Sequence, residues 1–303
     1  MTMSWKEKAM FVFIVFLLLV SILLLIYYIQ NVQQNRKKHK KQRNKCSKEE
    51  EECVETACEF RTYQRSSNGR PAWNSDNSSV DMTTKSTNWA GFVAATSLQT
   101  PRTNSCTKVT GTFVIPTLQR DVTDPDNNVS IWVGLDGAFS SDPTVEQIGI
   151  DLANVDGQTQ AYAWFEMYPK GAYEIVGFPV NAGETIMVTV AFLGSGIYQL
   201  SMSNLTQRVK VTIPTFYTRS SFAKRQCVEW IVEAPYFQGV LPLTHFNPIT
   251  FTNCSATING VTNTISHFAH DNFIMTTEQN VPKATPSALS TNGSSFSVTW
   301  QHE

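Results

Sequence analysis

The chain has 303 residues with a formal net charge of −1, and 42% of its residues are hydrophobic. The charge is uneven, because residues 1–86 carry 14 Lys and Arg against 9 Asp and Glu, whereas residues 87–303 carry 10 against 16. An acidic body does not suit nucleic acid, whose binding needs a basic face, so we expect no nucleic-acid partner.

The first predicted element is an apolar run at residues 10–29, which follows a short tail at residues 1–9. Twenty helical residues rise about 30 Å, which matches the hydrocarbon core of a bilayer. The run ends in Tyr27 and Tyr28 without a small-residue cleavage site. This ending favours an uncleaved anchor over a secretory signal peptide. The sequence therefore predicts a single transmembrane helix that contacts the lipid bilayer.

Residues 30–86 are predicted to form a charged and polar stalk. A basic run at residues 36–45 precedes an acidic run at residues 48–52, and such blocks of like charge stay solvated. Residues 60–86 are rich in Ser, Asn and Arg, which is typical of a linker. The functional alternative is that the basic run binds anionic lipid, or nucleic acid packed beneath a membrane.

The pattern changes at Thr87, after which short β-branched and aromatic runs alternate with turn residues. Runs at about ten-residue spacing without a helical period predict an all-β domain at residues 87–303, an antiparallel two-sheet β-sandwich. Alternation within the runs predicts one buried face for each strand. The runs occupy residues 109–116, 129–137, 160–169, 184–194, 198–204, 209–216, 228–235, 249–260 and 295–301.

Polar residues interrupt several of these strands. Residues 132–137 read as a strand that enters an Asp-Gly turn. In two other strands a set of alternate residues shares one face, which is either a solvated face, the default for Glu, or part of a concave site. The two sets are Gln147, Gly149 and Asp151 in one strand, and Glu229, Ile231 and Glu233 in the other.

Glu166 lies among large side chains, because Phe165 and Met167 flank it and Trp164 and Tyr168 share its face. A carboxylate among aromatic rings is either a satisfied hydrogen-bonding partner or an acid whose pKa is shifted for chemistry.

Seven motifs, in this order and at roughly this spacing, resemble the glutamic peptidases of the eqolisin type (family G1), and most closely their bacterial-type members. The resemblance runs from about residue 88 to about residue 254, with a weaker tail to residue 300. It implies a sandwich of the concanavalin A-like lectin and glucanase type, with the site on the concave face. The motifs are NWAG (88–91), VTGTFVIPT (109–117), SIWVGLDG (130–137), EQIGID (146–151), AWFEMYP (163–169), AGETI (182–186) and EWIVEAP (229–235).

The resemblance also implies an endopeptidase whose catalytic residues are Gln147 and Glu233, and the apolar run at residues 10–29 is expected to anchor it in a membrane. Glu233 acts as general base and then as general acid, while Gln147 positions the water and stabilises the oxyanion. The expected enzyme is acid-active, insensitive to pepstatin and free of metal, and it cuts polypeptide as a monomeric domain. Supporting or substrate-binding positions are Trp132, Asp136, Asp151, Trp164, Glu166, Tyr168 and Glu229.

The chain departs from the family pattern in its cysteines and near Glu166. The cysteine that follows the VGxDG turn is missing, and Tyr162 and Met167 replace an Asp and a Trp of the fungal members. Cys106 and Cys227 match no family cysteine, so that they either pair or are plain buried thiols. The six cysteines contain no CxxC pair and no histidine at ligand spacing, which predicts no metal site and no cofactor.

Two indications of membrane orientation conflict. The family implies a domain outside the cytosol, whereas the basic run at residues 36–45 places the domain on the cytosolic side, or inside an enveloped particle.

Three other functions fit the same predicted scaffold. A carbohydrate-binding module would use the concave aromatic face, and a glycosidase would use Glu166 and Glu233 as its carboxylate pair. An inactive structural surface protein would retain only the fold. Sugar binding that is unaffected by Gln147→Ala, without peptide cleavage, would favour the first of these.

Overall fold

The computed structural model of the chain describes residues 50, 53–62, 83–119, 128–155, 158–236 and 239–302. The tail at residues 1–9 and the apolar run at residues 10–29 lie outside the described residues, as does most of the expected stalk. Across the part of the chain that is described, no helix is long and apolar enough to span a bilayer.

Strands make up nearly all the regular structure in the described residues, as the alternating runs predict. One short 3-10 helix, Ile265–His267, accompanies them. The strands are β1 (Val54–Glu55), β2 (Glu59–Thr62), β3 (Thr83–Ser86), β4 (Trp89–Ala95), β5 (Cys106–Val114), β6 (Asn128–Leu135), β7 (Val145–Val155), β8 (Gln158–Tyr168), β9 (Tyr173–Val176), β10 (Thr185–Gly194), β11 (Ile197–Asn204), β12 (Val209–Thr212), β13 (Cys227–Glu233), β14 (Ile249–Ile258), β15 (Val261–Asn263), β16 (Ala269–Thr276), β17 (Pro282–Pro286) and β18 (Phe296–Trp300).

The strands form two sheets. The first sheet has the antiparallel order β9-β8-β7-β6-β13-β4-β16, with β2 beyond β9 and β3 parallel to β16. The second sheet has the order β12-β11-β10-β5-β14, with β1, β15 and β18 at its margins. Strand β17 pairs with both β16 and β18 and thereby links the two sheets.

The main core lies between the two sheets. Alternate residues of the first sheet, such as Ile148 and Phe165, join one hydrophobic cluster with Phe113 and Val188 of the second sheet. Full burial of each such side chain contributes roughly 1.5–3 kcal/mol. Trp230 crosses between the sheets, and its indole nitrogen donates a 2.9 Å hydrogen bond to the carbonyl oxygen of Thr110 in β5.

The first sheet is buried on both faces, which single-face alternation does not predict. A second cluster, on the face away from the main core, contains Trp89, Trp132, Trp164 and Ile231, all fully buried. Every residue of β4 and β13 is consequently buried. Periodicity reports which residues share a face but not whether that face is covered, so these strands read as half-exposed in sequence.

Strands β1, β2 and β3 lie within the segment expected to be a stalk. Strand β1 pairs with β12 of the second sheet, and β2 pairs with β9 of the first. The ring of Phe60 packs against the rings of Phe165 and Tyr217, with centroid separations of 5.8 and 5.3 Å. Strands of two and four residues are too short to produce a visible hydrophobic alternation, so sequence patterning does not reveal them.

Candidate active site

Gln147 and Glu233 lie on the same face of the first sheet. Their strands, β7 and β13, both pair with β6, where Gln147 is opposite Gly134 and Glu233 is opposite Ser130. Because alternate residues of a strand share a face, both side chains project to the side occupied by Trp132. One strand and four register positions separate the two residues, and both are at most 2% exposed.

The indole of Trp132 lies on the same face as these residues and contacts Glu233 directly. Its Nε1 donates a 2.8 Å hydrogen bond to Oε2 of Glu233. At its other end, an atom placed at the Cβ position of Gly134 would lie 2.9 Å from Cζ3 of Trp132 and 3.3 Å from Cβ of Gln147. Gly134 thus allows the ring to lie beside Gln147, and one side chain contacts the neighbourhood of both polar groups.

A second donor to the Glu233 carboxyl comes from the short connection between β3 and β4. Nδ2 of Asn88 donates a 3.4 Å hydrogen bond to Oε1 of Glu233. The hydroxyl of Ser86 donates to Oδ1 of Asn88 at 3.0 Å, which turns the amide so that its NH2 group faces the carboxyl. Both oxygens of Glu233 therefore accept an N–H, and the position of the carboxyl is fixed.

Glu166 sets the orientation of the Gln147 amide. Nε2 of Gln147 donates a 2.7 Å hydrogen bond to Oε2 of Glu166, which is directly opposite in β8. Oε1 of Gln147 has no hydrogen-bond partner among the described residues, although the side chain is buried. One N–H and the carbonyl oxygen of this amide are thus left for a water or a substrate.

The remaining predicted residues of this face surround the pair. Asp151 accepts a hydrogen bond from the hydroxyl of Ser130. Trp164 lies opposite Gly149 in register, and Tyr168 packs at the edge of the aromatic cluster. These residues make a mainly aromatic floor in which the carboxyl and carboxamide groups are the polar features.

Asp136 has a different environment from the pair. It directly follows β6 and has a φ of 64°, and its carboxyl oxygens accept backbone N–H groups of Arg225 and Gln226 at 2.5 and 2.6 Å. Burial and the nearby charge of Asp142 raise the pKa of Asp136 to about 7. The residue thereby ties the turn after β6 to the segment that enters β13.

Glu229 shares the row of Gln147 but belongs to a separate group of buried acids. It is fully buried, and burial raises the pKa of its carboxyl well above the ordinary value. Glu146, on the main-core face of β7, is also fully buried, and burial together with the charge of Asp136 raises its pKa well above the ordinary value. Sequence patterning missed Asp142 and Glu146, because acidic residues are exposed by default.

Ser86 and Asn88 are the other functional candidates that sequence patterning missed. Asn88 belongs to the NWAG motif, but its contact with Glu233 spans 145 positions, and no local pattern signals it. Among the described cysteines, Cys58, Cys106, Cys227 and Cys254 are free thiols. For Cys106 and Cys227 the structure thus bears out the interpretation as buried thiols.

A buried carboxamide and a buried carboxyl on one face of an all-β sandwich define the class of glutamic hydrolases. The chain belongs to the Peptidase A4 family, whose model matches residues 87–300. The resemblance to glutamic peptidases is therefore confirmed, and with it the prediction that the chain is an enzyme of the peptidase class. The finer likeness to bacterial-type members stays a prediction.

Two curated relatives and two solved structures illustrate the match. Aspergillopepsin-2 of Aspergillus niger is 30% identical over 234 residues, covering 71% of this chain and 78% of that protein. Scytalidopepsin B of Scytalidium lignicola is 28% identical over 139 residues, covering 43% of this chain and 51% of that protein.

The fold is shared with scytalido-glutamic peptidase solved with a transition state analog inhibitor. That structure has a TM-score of 0.59 and 21% identity, covering 71% of this chain and 98% of that one. Aspergilloglutamic peptidase from Aspergillus niger has a TM-score of 0.50 and 30% identity, covering 58% of this chain and all of that one.

Proposed function

We propose that the chain is a membrane-anchored endopeptidase that hydrolyses polypeptide with a water held between Gln147 and Glu233. The observation that carries this proposal is the placement of both side chains on one buried face, with Trp132 hydrogen-bonded to Glu233. The domain is proposed to act as a monomer, since both residues belong to one sheet of one chain.

The proposed reaction has two proton transfers. Glu233 takes a proton from the water as the water oxygen attacks the carbonyl carbon, and an N–H of Gln147 donates to the oxyanion that forms. The protonated Glu233 then gives its proton to the leaving nitrogen as the C–N bond breaks. These roles need no metal and no nucleophilic side chain.

The hydrogen bonds of Gln147 suit this role. Its amide has two N–H donors, and the contact with Glu166 uses one, which leaves the other for the oxyanion. Its Oε1, which has no partner among the described residues, can accept from the water. The surrounding tryptophans exclude solvent, so these hydrogen bonds act in a low dielectric, where they are stronger.

Acid activity is part of the proposal. Burial raises the pKa values of Glu146 and Glu229 well above the ordinary value, so both groups are neutral in acid. Burying a neutral carboxyl costs far less than burying a carboxylate, and the fold therefore suits an acidic setting. We also assign the sandwich to the concanavalin A-like type, because a curved first sheet would make its site face concave.

The membrane anchor rests on residues 10–29, whose length and hydropathy suit a single span. The side on which the domain lies is tested by protease protection on sealed membranes. Digestion by a protease added from the cytosolic side would exclude a luminal domain, whereas protection would contradict the positive-inside indication.

Activity is tested with the full-length protein in detergent, incubated with denatured polypeptide from pH 2 to pH 7 with and without pepstatin. Cleavage is expected in acid and is expected to resist pepstatin. Gln147→Ala should lower kcat by on the order of 10²–10³, the usual loss of one oxyanion donor, and Glu233→Gln should abolish turnover.

Gln199→Ala and Glu278→Gln are the matched controls, because both residues are exposed. They should keep wild-type activity. A rate for Gln147→Ala within tenfold of wild type, in a protein with an unchanged circular dichroism spectrum, would refute the assignment. Sugar binding without peptide cleavage would favour a carbohydrate-binding module instead.

A further inference from the structure

We propose that a divalent transition-metal ion of the Zn²⁺ class binds to Asp136, Asp142 and Cys227, with Glu229 as the fourth ligand. One ligand atom from each of the first three residues lies within 4.8 Å of the others. All four side chains are fully buried. The site is distinct from the catalytic pair and has a structural role.

The three residues come together at the end of the first sheet. Asp136 and Asp142 belong to the connection between β6 and β7, and Cys227 is the first residue of β13. The thiol of Cys227 donates to Oδ2 of Asp142 at 3.5 Å. Backbone N–H groups of Gly137 and Phe139 donate to the same oxygen at 3.1 and 3.2 Å, which holds this carboxyl toward the sulfur.

Unsatisfied oxygens at the cluster are an independent sign of a ligand. Neither carboxyl oxygen of Glu229 has a hydrogen-bond partner among the described residues, and Oδ1 of Asp142 has none there either. Glu229 lies two positions from Cys227 in β13 and shares its face.

The types of ligand atom in this cluster indicate which kind of metal ion it would bind. Carboxylate oxygens alone would suit Ca²⁺ or Mg²⁺, but a thiolate favours a borderline ion such as Zn²⁺. Tetrahedral zinc has metal–ligand distances near 2.0–2.3 Å, so its ligand atoms are about 3.5 Å apart. For Asp136, Asp142 and Cys227, whose ligand atoms lie within 4.8 Å of one another, this requires a closure of about 1 Å. Binding releases the thiol proton to solvent and converts the sulfur to a thiolate.

Such an ion would join the two strands that carry the proposed catalytic residues. The β6–β7 connection leads directly into β7 and Gln147, while Cys227 begins the strand that ends at Glu233. A bond between these segments fixes the start of β7 against the start of β13. The ion touches neither catalytic side chain, so acid proteolysis should not depend on it.

The test uses the full-length protein in detergent, purified without a histidine tag, at pH 7. Co²⁺ is expected to bind at one ion per chain and to give thiolate-to-metal charge-transfer absorption. Zn²⁺ is expected to raise the midpoint of thermal unfolding. Cys227→Ser should lose the absorption band, and Asp142→Asn should lose the Zn²⁺-dependent rise in Tm.

Cys254→Ser is the matched control, because Cys254 is an equally buried thiol in β14 whose sulfur contacts a backbone carbonyl. It should keep the band. A band that survives in Cys227→Ser would place the ion elsewhere and overturn the proposal. Equilibrium dialysis of the wild type is a second test of the proposal. Failure to retain stoichiometric Zn²⁺ at pH 7 would overturn the proposal, whatever the variants show.

Discussion

Trp132 and Glu233 are joined by a 2.8 Å hydrogen bond from the indole Nε1 to the carboxyl Oε2, between adjacent strands of the first sheet. The same indole lies over Gly134 beside Gln147. One rigid side chain therefore orients the carboxyl of Glu233 on the face that also carries Gln147.

Trp132→Phe should distinguish the contribution of the hydrogen bond from that of ring packing, because phenylalanine keeps an aromatic ring but has no indole N–H. Loss of a hydrogen bond to a charged group is worth roughly 1.5–3 kcal/mol, so kcat should fall about ten- to a hundredfold while KM changes little. Trp89→Phe is the control, because Trp89 is equally buried but its indole nitrogen has no hydrogen-bond partner among the described residues. Equal losses in the two variants would show that ring packing, and not the hydrogen bond, matters.

Glu166→Gln tests the orientation of the Gln147 amide. The new amide has only one oxygen that can accept from Nε2 of Gln147, and its other orientation presents an NH2 group, so the 2.7 Å hydrogen bond is weakened and Gln147 is held less firmly. We expect kcat to fall more than KM rises, since binding surfaces are unchanged. Glu174→Gln on the neighbouring strand serves as the control. A pure rise in KM for Glu166→Gln would indicate that Glu166 binds substrate instead.

Gly149→Ala should destabilise the fold. A Cβ at position 149 would lie 2.5 Å from Cβ of Trp132 and closer still to the carbonyl oxygen of Ile131, both in the adjacent strand. Overpacking of this kind typically costs about 1–3 kcal/mol, which urea unfolding would measure. Gly171→Ala is the control, because a Cβ there meets nothing within 4 Å. Equal unfolding midpoints for the two variants would contradict the packing described.

Glu146→Gln should alter how stability depends on pH. The folded-state pKa of Glu146 is raised, chiefly by burial, so the folded chain holds a proton that the unfolded chain releases above about pH 4.5. The stability that Glu146 contributes is therefore fully present below that pH and is lost as the pH rises. The Tm of Glu146→Gln relative to wild type should increase from pH 4 to pH 7, measured with a chelator present.

Glu184 should show the opposite dependence of stability on pH. Burial opposes its ionisation, but hydrogen bonds from Gln207, Asn204 and Asn181 outweigh this effect and lower its pKa. The stability that the ionised Glu184 contributes to the fold is present above the unfolded-state pKa and is lost as the pH falls. Glu184→Gln should therefore differ from wild type mainly at neutral pH, by being less stable. The same pH trend in both variants would contradict the environments described here.

The sequence predicted the strands of the candidate site and which residues share a face in each of them. Alternation places Gln147 with Asp151, and Glu229 with Glu233, and the register agrees. It did not reveal the neighbours of Glu233, because the pairing of β13 with β6 depends on contacts such as that between Trp132 and Glu233, which are 101 positions apart in the chain. The partnership of Asn88 with Glu233 is therefore visible only in three dimensions.

The sequence also did not indicate which acidic side chains are buried. Glu146, Asp142 and Glu229 have side chains that are exposed in most proteins, and nothing in the local pattern distinguishes them. Their burial follows from the covering of both faces of the first sheet, which is a property of the assembled sandwich. The motif resemblance supplied the candidate pair, but not the acid cluster beside it.

Strands β1 and β2 precede the family-matching region, and each adds to a margin of one sheet. An unpaired strand margin is a template on which other chains can add, and proteins protect such margins to remain dispersed. A recombinant piece that begins at residue 83 would leave β9 and β12 uncovered. Poor solubility of such a piece would then reflect the missing residues 53–62, and not a defect in the peptidase body itself.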